Sequence, residues 1–272
     1  MYSGVPSVNS LSSIYLSCER PIVHAELVKL KRELDVKRSK VPASGIVSDD
    51  YDFPLIEQVY FSSETGMMYG YQFPAVAKIG FAHAGAGKML VNDHVMMEDF
   101  QSVLKMTSGS YCTVEPFIDG KDKFDLRIQK IGKDIRVFVK ISVSGNWKSN
   151  VGTTLMGELL LPKNFQSNVI RDDESISCHY GESIESGFLE VMPQVSVKRF
   201  FGYCKWIENA SKMFDGLDIC TLDAVCCRDK NDQWNEVILE LNDTSSGLAP
   251  FCEDEDNRKI RDLVLTKMEG FD

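Results

Sequence analysis

Two lysines bracket a small-residue loop, and their setting points to anion chemistry. Lys78 lies inside the apolar run Ala75-Val76-Ala77-Lys78-Ile79, which reads as a buried strand after Pro74. A buried ammonium is costly unless it meets an anion, so Lys78 needs a negative partner. The loop that follows is built from alanines and glycines, including Gly85 and Gly87, and leads through Lys88 into the apolar Met89-Leu90-Val91. Strand, small-residue loop, strand, with a lysine on each side, suits a hairpin flap whose backbone N–H groups cover phosphates. It is neither of two familiar phosphate loops. Position 82 is alanine and Met89 follows Lys88, so the GxxxxGK[ST] pattern fails. Leu90 stands where the third glycine of a dinucleotide fingerprint belongs.

A second set of residues points to a hard cation. Asp218 and Asp223 flank an apolar stretch, and Glu240-Leu241-Asn242 ends the next strand across a polar turn. Carboxylates at facing ends of a hairpin repel unless a cation lies between them. Asp223, Glu240 and the amide oxygen of Asn242 suit Mg²⁺ bridging nucleotide phosphates. In Phe124-Asp125-Leu126-Arg127-Ile128-Gln129 the alternation puts Asp125, Arg127 and Gln129 on one face. A cleft or a solvated outer face would both fit that spacing. Glu115-Pro116-Phe117-Ile118-Asp119 reads as a strand end, or as a segment offering main-chain groups to an adenine edge. Ser142 to Lys148, SVSGNWK, is either a turn or a ligand-binding loop.

The elements that must position these residues are mixed. Helices are expected over 21–36, 95–106, 197–214 and 254–268, each with an apolar stripe. The stripes are Ile22, Val23, Leu27, Leu30 and Leu34 in the first; Met96, Phe100, Val103 and Leu104 in the second; and Phe200, Phe201, Cys204, Ile207 and Ala210 in the third. Strands are expected over 4–9, 55–61, 75–79, 89–91, 111–118, 124–131, 135–143, 217–226 and 236–241. Residues 158–196 are acidic and serine-rich and read as a solvated insertion. Strands and helices do not alternate, which favours an α+β fold with antiparallel sheet over a doubly wound one.

Bulk properties narrow the function classes. The chain has 272 residues, 43% of them hydrophobic, enough for one large domain or two small ones. A net charge of −10 argues against nucleic acid as a partner. No transmembrane run or signal peptide is legible, and eight cysteines without CxxC pairs read as free thiols of a reducing, cytoplasmic setting. The four histidines have no zinc spacing.

Taken together, GVPSVNSL, FPLIEQ, the FPxVxKxG strand, HAGAGK, EPFID, DLRIQKIG, SVSGNWKSN and GLDIC resemble the ATP-grasp superfamily, and within it the C-domain of the synapsin family. The likeness spans nearly the whole chain outside 158–196. It implies an ATP-grasp fold, with two antiparallel sheets and helices enclosing a nucleotide cleft. Residues 1–19 would be a remnant of the preceding α/β subdomain, otherwise largely missing from an N-terminally truncated chain. Residues 20–272 would form the ATP-grasp domain, with flap and hinge over 74–118.

The resemblance implies ATP contacts from Arg20, Lys78, Gly85, Gly87, Lys88, Glu115, Ile118, Arg127, Trp147, Lys148 and Glu240. Lys78 would meet the α- and β-phosphates, while Glu115 and Ile118 would offer backbone to adenine. Metal ligands would be Asp223, Glu240 and Asn242, holding Mg²⁺ or Ca²⁺. Three departures from the synapsin pattern stand out: Arg20 replaces a lysine, Asp223 a glutamate, and Asn242 restores the Glu-x-Asn of the wider superfamily. By resemblance the module regulates a synaptic-vesicle-associated protein and neurotransmitter release, without catalysis of its own. Homo-oligomerisation and vesicle or cytoskeletal partners are also implied. The alternative is an ATP-dependent carboxylate–amine ligase acting through an acyl phosphate.

Overall fold

The computed structural model describes residues 7–39, 51–63, 66, 70–80, 86–107, 111–148, 153–161, 176–180, 195–244 and 246–270. Within these, two antiparallel sheets face each other across a cleft. The smaller sheet contains β1 (Val59–Phe61), β2 (Ala75–Ile79), β3 (Lys88–Val91) and β4 (Cys112–Pro116), in the order β1-β4-β2-β3. The larger contains β5 (Lys121–Ile131), β6 (Asp134–Ser142), β7 (Thr154–Leu160), β8 (Ser177–Tyr180), β9 (Ile219–Arg228) and β10 (Trp234–Asn242). Its order is β10-β9-β5-β6-β7-β8. The antiparallel α+β architecture is the expected one.

Alternation decides which sheet face is core. On β5, Phe124, Leu126 and Ile128 are buried with Leu222, Ala224 and Cys226 of β9. Helices α2 (Arg20–Ser39) and α4 (Val197–Ala210) cover that face. The smaller sheet buries Ala75, Ala77, Cys112 and Val114 under α3 (His94–Met106), whose Asp93 cap accepts from the Met96 N–H at 2.9 Å. Helix α1 (Leu11–Ser17) is capped by Ser10, and α5 (Glu253–Glu269) closes the chain.

Packing corrects several expectations. The buried residues of α2 are Val23 and Leu27, with Leu30 and Leu34 packed against the core; Ile22, one position round the helix, is 38% exposed. On α3 the core contacts come from Met97, Phe100 and Leu104, while Val103 faces outward. On α4, Cys204 packs against the core as expected and Phe201 is only half-buried, whereas Tyr203 and Trp206 are buried there as well. Their polar tips are satisfied, the Tyr203 hydroxyl donating to Glu236 at 2.8 Å and the Trp206 N–H to the Asp52 carbonyl. The expected strand at 4–9 lies partly outside the described residues, and residues 11–17 are helix. Asn9 instead pins the start of β9, its Oδ1 accepting from the N–H of Asp218 at 2.8 Å and of Ile219 at 3.1 Å. The described parts of 158–196 are not loop: Leu159 is buried and pairs with Cys178, and Val195 is in the main core.

Residues 54–61 do not form one strand. Ile56 N–H donates to the Ile238 carbonyl at 2.9 Å, and Ile238 N–H returns to Pro54 at 2.7 Å, so this stretch runs beside β10. Three residues on, Val59 pairs with Val114 of β4. One extended segment thus ties the two sheets together.

The crossing from β4 to β5 needs Gly120. A Cβ there would lie 2.4 Å from the Arg228 carbonyl oxygen and 2.8 Å from Cys227 Sγ. Gly120→Ala is expected to lower stability by about 1–3 kcal/mol, the usual cost of overpacking. Chemical denaturation checks it, and an unchanged midpoint would mean that the hinge backbone has room.

Candidate functional site

The cleft between the sheets encloses a cavity of about 130 Å³ and opens to solvent. One end is apolar, with Val76 and Phe117 from the smaller sheet and hinge opposite Leu126 and Leu239 of the larger. The lining as a whole is strongly cationic. Lys78, Lys88, Lys123, Arg127, Lys140 and Lys148 line the cleft. Among the described residues four acids accompany them: Glu115, Asp125, Asp223 and Glu240. Cations outnumber acids here in a chain whose net charge is −10.

Lys78 is the buried ammonium the sequence flagged, 2% exposed. The antiparallel register places Lys78 opposite both Lys88 and Thr113. Its anion is Glu115, one strand away, at 2.6 Å from Nζ to Oε1. Gln58 Nε2 donates to the other oxygen of Glu115 at 3.3 Å. Glu115 therefore offers a side chain to Lys78, a role that its reading as a backbone donor had missed.

Glu240 gathers three cations from three elements. Arg20 of α2 forms a close ion pair with Oε2, Lys88 of β3 lies 3.5 Å from Oε1, and Lys78 lies 3.9 Å from Oε2. Burial by itself would raise the Glu240 pKa, but Lys78, then Lys88 and Arg20, hold it well below the carboxylate range. A β-bulge between Ile238 and Glu240 makes this possible. Ile238 and Leu241 both face the core although three positions apart, and the extra residue turns Glu240 onto the cleft face opposite Asp223.

Asp223 is held by its neighbours. Arg127 reaches its two oxygens at 3.0 Å (Nε) and 3.3 Å (NH2), and Asn242 Nδ2 donates at 3.0 Å. Burial would lower the Arg127 pKa, yet Asp223 raises it. Among the described residues no cluster of three or more His, Cys, Asp or Glu is placed to hold a metal ion. Asp223 and Glu240 both line the cleft and Asn242 orients Asp223, so two hard oxygen donors of the type a Mg²⁺ or Ca²⁺ ion prefers face one cavity.

The loop after β6 bridges hinge and flap. Trp147 meets the Phe117 ring edge-on with centroids 6.1 Å apart, and Lys148 Nζ donates to the Lys88 carbonyl at 2.8 Å. Gly87 has φ +60, and its carbonyl accepts from Ile79 N–H at 2.9 Å. Gly85 lies outside the described residues. Ile118 presents its carbonyl to Lys123 Nζ at 2.9 Å. Lys123 and Lys140 were missed by sequence reasoning. The available signal was alternation: Lys123 precedes Asp125 by two positions, and Lys140 stands opposite Asp125 in register.

Burial lowers the Lys88 pKa, and Glu240 only partly opposes this. A polyphosphate bound beside Lys88 would favour its charged form. Nucleotide affinity is thus expected to fall as pH rises through the lowered Lys88 pKa, with proton uptake on binding in that window. Titration calorimetry in buffers of different ionisation enthalpy reads the uptake, and Lys88→Met should remove it.

Comparison with known proteins agrees with this geometry. The family model described as the synapsin ATP-binding domain matches residues 9–177 and 163–270. Synapsin of Drosophila melanogaster is 29% identical over 272 residues, which cover 99% of this chain and 21% of that protein. The chain thus spans about a fifth of the curated relative it matches. Among solved structures, the D-alanine–D-alanine ligase of Helicobacter pylori superposes with a TM-score of 0.54 at 14% identity, covering 92% of this chain and 61% of that one. The VanG D-Ala:D-Ser ligase of Enterococcus faecalis gives 0.51 at 14% identity, covering 97% and 66%. At such identity these two show the fold alone, which is ATP-grasp. On the family match over most of its length, the chain belongs to the synapsin family, of which it carries the ATP-binding domain.

Proposed function

We propose that this chain is a non-catalytic ATP-binding module, in which nucleotide and a divalent cation set the conformation and association of a vesicle-linked protein. The observation that carries the reading is the excess of cations in one cleft of an acidic chain, next to apolar lining from Val76, Phe117 and Leu239. Lys78, Lys88 and Arg20 would hold phosphates, assisted by Lys148 and Arg127. Trp147 would close the cleft, and the hinge at Glu115 and Ile118 would face adenine. Asp223, Glu240 and Asn242 would hold Mg²⁺ or Ca²⁺, which would neutralise phosphate charge next to two carboxylates. Homo-oligomerisation, vesicle or cytoskeletal partners and a cytoplasmic location peripheral to synaptic vesicles belong to the same proposal. No helix among the described residues is long and apolar enough to cross a membrane.

A second reading is favoured by the pairing of Arg127 with Asp223, which Asn242 also holds. A guanidinium beside paired acids could stabilise a transferring phosphoryl group in a carboxylate–amine ligase. Calorimetric titration with ATP plus Mg²⁺ or Ca²⁺, followed by an ADP-release assay, separates the two. Saturable binding without ADP release supports the module, ADP release in the presence of a carboxylate and an amine supports the ligase, and absence of binding rejects both.

A further inference from the structure

Lys123 occupies a position that phosphate binding does not explain. It lies at the apolar, hinge end of the cleft. Its Nζ caps the Ile118 carbonyl at 2.9 Å and sits 4.6 Å from the centre of the Phe117 ring. The backbone brings it there in two steps. A bulge in β5 between Lys121 and Phe124 takes one extra residue out of the ladder with β9, and Asp122 adopts φ +51 within it. Gly120 packs against the Arg228 carbonyl, where no side chain would fit, which pins the hinge and the direction of its carbonyls. From within the bulge onward, Lys123, Asp125 and Arg127 follow one another along the cleft lining of β5, ending at the Asp223 pair. The strand therefore runs from the base end of the cleft to its phosphate end, with Lys123 at the base end.

A hinge carbonyl is an acceptor, and an uncapped one selects bases that present a donor, such as the adenine amino group. An ammonium bonded to that carbonyl reverses the polarity at this spot, offering N–H where the backbone offered oxygen. Purine N7 and guanine O6 are acceptors that such a donor can meet. We propose that Lys123 is the base-reading residue of this cleft and selects the nucleotide through an acceptor atom of the purine, so that guanine nucleotides are admitted alongside adenine. This rests on the ATP-binding reading above and adds to it the basis of base choice.

The experiment compares ATP, 7-deaza-ATP and GTP by calorimetry on the wild-type chain and on Lys123→Met, with thermal melting to verify folding. The wild type is expected to bind GTP within about tenfold of ATP and 7-deaza-ATP about tenfold more weakly, as loss of a charged hydrogen bond implies. In Lys123→Met the 7-deaza penalty should vanish and GTP should weaken at least about tenfold relative to ATP. Lys123→Arg, which keeps the donor, should retain the wild-type order. An equal loss for all three nucleotides in Lys123→Met would make Lys123 a general counter-charge and overturn the proposal, as would no change in any. If the wild type binds none of the three, it is the nucleotide-binding reading itself that fails.

Discussion

Replacing Lys78 by methionine is expected to abolish measurable ATP binding and to destabilise the fold by about 3–5 kcal/mol, the cost of leaving one partner of a buried ion pair alone. Both losses have one cause. Lys78 and Glu115 have side chains only 3% and 5% exposed, and their oxygen–nitrogen separation is 2.6 Å. Gln58 reaches the far oxygen of Glu115 but carries no charge to balance it. Without Lys78 the carboxylate must either stay ionised in an apolar setting or take up a proton. Stability and binding can be separated by adding Glu115→Gln to Lys78→Met. The double variant should recover much of the lost stability, since no charge is then left buried, yet still bind ATP poorly. Denaturant unfolding and calorimetry measure the two effects independently. A double variant that regained ATP affinity would show that Lys78 serves the fold and not the phosphates.

The second large effect is expected at Glu240. Its carboxylate meets Arg20, Lys78 and Lys88, the groups that phosphates would otherwise meet. Without nucleotide, Glu240 serves as their counter-ion. Glu240→Gln should leave these cations with less anion between them, so that ATP binds more tightly than to the wild type when divalent ions are absent. Much of the dependence on Mg²⁺ or Ca²⁺ should disappear, because a neutral amide remains an oxygen donor but no longer attracts the ion as strongly. Asn242→Ala should weaken divalent-dependent binding, since it removes both a candidate ligand and the hydrogen bond at 3.0 Å that orients Asp223. Equal divalent dependence in wild type, Glu240→Gln and Asn242→Ala would exclude these residues from the metal site.

The same substitution carries a pH signature. The folded-state pKa of Glu240 lies below its unfolded value, so its stabilising contribution is fully present above the ordinary carboxylate pKa. That contribution is lost as pH falls from there through the folded value. Glu240→Gln should be less stable than wild type near neutral pH, and the gap should close in acid. A gap that widened in acid would show that the three cations do not lower the Glu240 pKa.

Much of this was legible in the chain itself. An ammonium inside Ala75–Ile79 demanded an anion, because the cost of burying a charge is a local property; the small-residue loop before Lys88 lies mostly outside the described residues. Alternation along 124–129 separated Asp125 and Arg127 from the core side chains. Motif likeness pointed to the family and hence the fold. What spacing could not supply was the partner of each charge. Arg20 and Glu240 are 220 positions apart, and Lys78 finds Glu115 only because β2 and β4 are neighbours in the smaller sheet. Periodicity also failed wherever the ladder slips. Strict alternation puts Glu240 on the face of Ile238, in the core; the bulge reverses it, and only the pairing of β10 with β9 reveals that. Lys123 likewise owes its place at the hinge to a bulge and to a glycine pressed against Arg228. A residue's own neighbours decide which way it faces within an element. Which elements meet, and where a strand gains a residue, depends on how the whole core packs, and that is where this cleft acquired its charges.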